Sequence, residues 1–259
     1  MAVNQNIHQP VKEQSELTET GHAAPIIGLV LIVLFTVTVL LHRAQILSYP
    51  TTMAFIALIL VLMLAIFICS AIAIINRSPC SYSKNARKTL VITGFVPLLI
   101  LLYMLYIALF LRAPIIHDIS TNLTDIPQFD KTIALRGSKS NSLAIKREVI
   151  ELQQKSYPHI KTLFTPLNRQ HAFEQALLVA NTIGWTVHNI DPQQGIIEAW
   201  EKTYAWGFID DVIVRVSATD TGSAIDLRSV SRLRKSDLGS NANRIVRFYA
   251  AFEAAQANN

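Results

Sequence analysis

With 51% hydrophobic and 16% charged residues in 259, the chain is more apolar than an ordinary globular protein, where about 25% of residues are charged. Its net charge of +5 does not mark a nucleic-acid-binding surface: residues 1–112 hold seven basic and three acidic residues, a net +4, which leaves +1 for everything that follows. The two cysteines, Cys69 and Cys80, both lie in the apolar half, which excludes a disulfide or a thiolate metal site from the C-terminal half.

Residues 1–22 read as a short polar, mobile tail. Lys12 is offset there by Glu13, Glu16 and Glu19, so the segment lacks the basic start of a cleaved signal peptide. Three apolar runs follow, at about 23–41, 50–76 and 89–111, and none contains Asp, Glu, Lys, Arg or His. Each reaches the roughly 20 residues a helix needs to cross about 30 Å of hydrocarbon. The expectation is a three-helix membrane anchor over 23–112. Ionisable groups at depth usually mark ion or proton paths, so their absence from these runs points to an anchor rather than a channel or pump.

The loop 77–88 carries Arg77, Lys84, Arg87 and Lys88, whereas 42–49 carries only Arg43. The positive-inside rule then places the N-terminus in the cytoplasm and the C-terminal domain on the other side, the periplasm for a protein of the bacterial inner membrane.

Residues 113–144, punctuated by Pro114, Pro127 and Gly137, read as an irregular linker, and 145–259 as a soluble domain. A short helix is predicted over 145–156 and a longer one over 168–183, where Phe173, Leu177 and Ala180 build one apolar face and Gly184 suits the end. The period then changes to two. Strands are predicted at 185–190, 196–203, around 212–216 and at 224–233, with turns at Asp191-Pro192-Gln193-Gln194-Gly195 and Asp220-Thr221-Gly222. A last helix runs from about 239 to 255, its face made by Ile245, Phe248, Tyr249 and Phe252. The order predicts an α+β domain, a four-stranded antiparallel meander packed with helices, behind three transmembrane α-helices.

The run Asp210-Asp211-Val212-Ile213-Val214-Arg215-Val216 is followed by Ile225-Asp226-Leu227-Arg228-Ser229-Val230-Ser231-Arg232, then by Ser236-Asp237-Leu238-Gly239-Ser240-Asn241-Ala242-Asn243-Arg244-Ile245. Upstream stand Ile116-His117-Asp118-Ile119-Ser120-Thr121 and Gly184-Trp185. Over about 113–255 this pattern resembles the domain of unknown function 1499 family, found in bacteria and plastids, sometimes behind transmembrane helices. The resemblance implies a domain shape and no established activity. One departure is Leu233-Arg234-Lys235, where that family often has a glycine.

The best candidate site is the polar cluster Arg228, Ser229, Ser231, Arg232, Ser236, Asp237, Asn241 and Arg244, which leads into a helix N-terminus. Two readings compete. The arginines and free N–H groups suit a phosphate, a carboxylate or a lipid headgroup. Alternatively Asp237 or Asn241 caps the helix, while Asp210, Asp211 and Asp226 pair with the arginines. His117-Asp118 is a possible acid/base pair, and Trp185, Trp200, Trp206 and Phe208 could line an apolar pocket or form core. Phosphate-loop, dinucleotide, nucleophile-elbow and zinc-protease motifs are absent from the sequence. The expectation is therefore a non-enzymatic membrane protein without a cofactor or metal. It would act as an interaction module or an accessory subunit of a membrane complex, with membrane lipids and a membrane protein as partners and no nucleic acid. The alternatives are a lipid- or small-anion-binding module using the arginine-rich cluster, and a hydrolase.

Overall fold

The structure, a computed structural model, describes residues 9–75, 95, 98–103, 105–106, 114–204 and 206–257. It divides into two compact units, Met1–Leu111 and Arg112–Asn259.

In the first unit, α1 spans Gln9–Arg43 and α2 spans Tyr49–Ile75. Both are long and apolar enough to cross a membrane, over Ile26–Arg43 and Tyr49–Cys69, with mean hydropathies of 2.4 and 3.0. They pack through Leu31, Ile59 and Met63, while Leu29, Val33, Leu58 and Leu62 remain exposed. That outward apolar surface is what lipid or another helix would cover. Helix α1 starts well before residue 23, so residues 9–22 are helical rather than a tail. Pro10 in the first turn is pre-set for a helix, and the glutamates that follow are good helix formers. The third apolar run, 89–111, falls largely outside the described residues; those described within it, 95, 98–103 and 105–106, are helical.

The second unit is an α+β domain built on one antiparallel sheet. Strands β3 (Thr186–Asp191), β4 (Ile196–Lys202), β5 (Ile209–Thr219) and β6 (Gly222–Ser231) form the predicted meander. Two three-residue strands, β1 (Asp118–Ser120) and β2 (Leu163–Thr165), add to the free side of β6 and make the sheet six-stranded, in the order β1-β6-β5-β4-β3 with β2 also on β6. The segment 113–144 is thus not a mere linker. It supplies β1 and the short helix α3 (Lys131–Leu135). Helices α4 (Arg147–Ser156), α5 (Arg169–Thr182) and α6 (Ser240–Ala257) complete the domain.

Side chains alternate between the two faces of a strand. One face of the sheet presents Val212, Val214, Val216, Ile225 and Leu227 to Phe173, Ala176, Ile245, Phe248 and Phe252 of α5 and α6. Trp185 joins this core, stacked on Phe248 at 5.2 Å between ring centroids. Ile213 and Val230 point to the opposite face, where Phe129 and Leu143 of the segment after β1 cover them. Helix α5 is capped as its sequence suggests: the Asn168 side chain accepts from the His171 amide at 2.9 Å.

Candidate functional site

The predicted polar cluster is real in sequence and divided in space. On β6, Arg228 shares a face with Asp226, and Arg232, just past the strand, reaches Asp211 on that same face, whereas Ser229 and Ser231 share the other with Ile225 and Leu227. The period of two therefore sends consecutive members of the cluster to opposite sides of the sheet. Two separate networks result.

On the face covered by 121–144, Arg228 is fully enclosed. Its Nε and Nη2 donate to the two oxygens of Asp118 at 3.1 and 2.8 Å. Nη1 and Nη2 also donate to the carbonyls of Pro127 and Leu143, and the guanidinium lies 5.5 Å from the centroid of the Phe129 ring. Arg232 reaches Asp211, which also receives Arg136; Arg232 Nη1 donates to the Leu135 carbonyl. Arg215 pairs with Asp226, whose oxygens also accept from Asn122 and Thr162. Glu198, completely buried, accepts from the amides of Asp130 and Thr132 and from the Thr132 hydroxyl, and so holds the start of α3. Burial pushes the Arg136 guanidinium below its ordinary pKa, and Asp211 opposes that shift.

On the helix-covered face, Asp210 accepts from Arg234 and from Arg244. Arg244 also donates to Glu201, Ser229 and Asn241. Asn241 accepts from Ser229 and donates to Ser231 and the His117 carbonyl. Asp237 caps α6, accepting from the Gly239 amide at 2.9 Å and the Asn241 amide at 2.7 Å. Leu238 and Gly239, both at positive φ, form the turn that lets it do so. Burial raises the Asp237 carboxyl above its ordinary pKa against the pull of those two amides and Arg234. Ser236 lies at the margin, its hydroxyl donating to the Pro114 carbonyl.

Asp211 and Asp210 each serve two arginines, but with Glu198 and Glu201 counted the first network sets Arg136, Arg215, Arg228 and Arg232 against Asp118, Asp211, Asp226 and Glu198, and the second sets Arg234 and Arg244 against Asp210 and Glu201, so the charges named balance on each face. Buried ion pairs of this kind hold when their remaining donors are mostly satisfied, and four of the five N–H groups of Arg228 have a partner. Among the described residues no hydrogen bond joins His117 to Asp237 or Asp211: those carboxylates have the partners just named, Asp118 is taken by Arg228, and His117 lines a cleft. Of the aromatic residues, Trp185 is core and Phe208 lies beneath Arg234, 4.9 Å from ring centroid to guanidinium carbon.

The family model described as Protein of unknown function (DUF1499) matches residues 118–252, more than half of the chain. The chain belongs to that family. No curated protein matches it.

The DUF1499 match begins at Asp118, the carboxylate that neutralises Arg228, so the region shared with the family includes the segment that covers the second face of the sheet. The residues missed from sequence are Asp118 as the partner of Arg228, Arg136, Glu198, Glu201 and Arg234. Arg234 falls in the stretch where the chain departs from the family pattern; its side chain is spent on Asp210, and the positive-φ turn lies at 238–239 instead. Alternation around Glu198, with Ile197 and Ala199 buried on the helix face, was the one available signal that its carboxylate points to the other side.

Proposed function

We propose that this DUF1499 protein works by association rather than by chemistry: a membrane-anchored interaction module, or an accessory subunit of a membrane complex. In this reading the three apolar runs of the first unit cross a bacterial inner membrane. The loop charges put the N-terminus in the cytoplasm and the DUF1499 domain in the periplasm.

The observation that carries the reading is where polar and apolar groups end up in the domain. Its buried acids and arginines are paired with one another inside the fold, while several large apolar side chains stay exposed, a group of them at one end of the sheet. That end is defined by register: the end of β4, the start of β5, the end of β6 and the start of β1 lie side by side. Ile115, just before β1, is 73% exposed; Tyr204, between β4 and β5, is 94% exposed; Leu233 and Leu238, just after β6, are exposed as well. Clustered exposed apolar groups beside polar ones are a common mark of a protein-binding surface.

The test is site-specific photo-crosslinking in the native membrane from position 204 of the full-length chain, with position 178, on the exposed side of α5, as control. The expected result is one crosslinked polypeptide at 204 that is absent at 178 and is lost in Leu238→Asp. Crosslinks to lipid alone, or the same products from both positions, would refute the reading.

A further inference from the structure

Beside β1 lies a cleft of about 350 Å³, whose lining includes Ile115, His117, Ile145, Lys146, Val149 and Lys235. That volume is in the lower part of the range of about 300–1,000 Å³ found for small-molecule sites. The cleft differs from the two closed networks in one respect. Lys146 and Lys235 are both exposed and neither has an ion-pair partner among the described residues. The carboxylate in the lining, Asp118, does not compensate them, because Arg228 holds both of its oxygens. The cleft is therefore positive in sum.

The rest of the lining includes apolar side chains. Ile115, Ile145 and Val149 are among them, and Ile115 leaves 73% of its surface to water. A ligand that satisfies both parts of the lining has a negative head and an apolar tail.

We propose that this cleft binds a single-chain anionic amphiphile, with its carboxylate or phosphate head between Lys146 and Lys235 and its alkyl chain along Ile115, Ile145 and Val149. The proposal goes beyond the interaction reading; Ile115 belongs to both surfaces, so the crosslinking surface is judged at Tyr204 and Leu238, and the cleft at Lys146 and Lys235, where the two can fail separately.

The experiment is a calorimetric titration of full-length protein in phosphatidylcholine nanodiscs with octyl phosphate, set against empty nanodiscs. Octyl glucoside, with the same chain and a neutral head, and inorganic phosphate, with the head alone, serve as controls. One saturable site for octyl phosphate is expected, at least roughly tenfold tighter than either control. Lys146→Glu and Lys235→Glu should each weaken it by roughly fivefold or more, as expected for reversing a charge at a partly screened site. Ile115→Asn should weaken octyl phosphate and leave inorganic phosphate unchanged. Equal binding of octyl glucoside, equal binding of inorganic phosphate, or octyl phosphate binding that survives the double charge reversal would each overturn the proposal. All three substitutions are at exposed positions, and unchanged tryptophan fluorescence would show that the domain remains folded.

Discussion

Replacing Asp118 by alanine puts the buried arginine of β6 to the test. Arg228 is 0% exposed, and among the described residues Asp118 supplies two of its four hydrogen bonds and its only ion pair. Removing one member of a buried pair leaves an uncompensated charge and costs about 3–5 kcal/mol. Against a total stability of about 5–15 kcal/mol for an ordinary domain, that is a large share. With a urea dependence of about 2 kcal/mol/M, the unfolding midpoint should fall by about 1.5–2.5 M. Trp185, Trp200 and Trp206 are the chain's only tryptophans and all lie in the DUF1499 domain. Intrinsic fluorescence of the full-length protein in mild detergent therefore reports this domain alone. The double variant Asp118→Leu/Arg228→Met removes both charges and should recover most of the loss, since apolar replacement of a buried pair is often neutral or better. A loss below about 1 kcal/mol for Asp118→Ala, or a double variant no more stable than the single one, would refute the enclosed pair and reopen Arg228 as a ligand-binding group.

Two further outcomes follow from the geometry. Burial raises the Asp237 carboxyl above its unfolded value of 3.8, so between those two values the folded state binds more protons than the unfolded one, and the stability that protonation confers is lost as pH rises through the folded value. Asp237→Asn should be least stable relative to wild type at the acid end of that window, and the gap should narrow as pH rises; a gap that widens with pH, measured by urea unfolding across a pH series, would contradict this. Gly222 has φ +146°, and a β-carbon there would sit 2.1 Å from the Thr165 carbonyl oxygen and 2.8 Å from the Pro166 α-carbon, both backbone atoms. Gly222→Ala should cost more than about 2 kcal/mol in thermal or urea unfolding, whereas Gly137→Ala, where nothing lies within 4 Å, should change stability by less than about 1 kcal/mol.

The long elements were legible because each repeats its period several times. Strands β3 to β6 and helices α4 to α6 fall within a few residues of where the hydrophobic pattern places them. Strands β1 and β2 have three residues each, and α3 has five, too few for a period to register. The part played by 118–144 was hidden for the same reason. Its anchors are single contacts over long separations, such as Asp118 with Arg228 and Asn141 with the Ser231 and Arg234 carbonyls. The capping by Asp237 and the pairing of Asp210, Asp211 and Asp226 with arginines could be anticipated from residue type. Their partition between two faces was written in the alternation of 225–232 and was obscured by treating neighbours in sequence as neighbours in space. Helix α1 begins earlier than expected because a polar stretch of good helix formers gives no apolar signal to read.

Strand β6 has no indifferent side. Odd-numbered positions from 225 feed an apolar core and a hydroxyl–amide network, and even-numbered ones feed ion pairs, with Val230 in a small apolar cluster among them, under a cover of chain. An ordinary half-solvated strand can lose its phase and merely trade buried for wet residues. Here a slip of one residue would drive Arg228 among the phenylalanines of α6 and bring Ile225 and Leu227 against carboxylates. The tight turn that feeds β6, at residues 220–221, is therefore a place where this lineage should accept exchanges of residue type but neither insertions nor deletions, even though loops of that kind are usually where chain length drifts first.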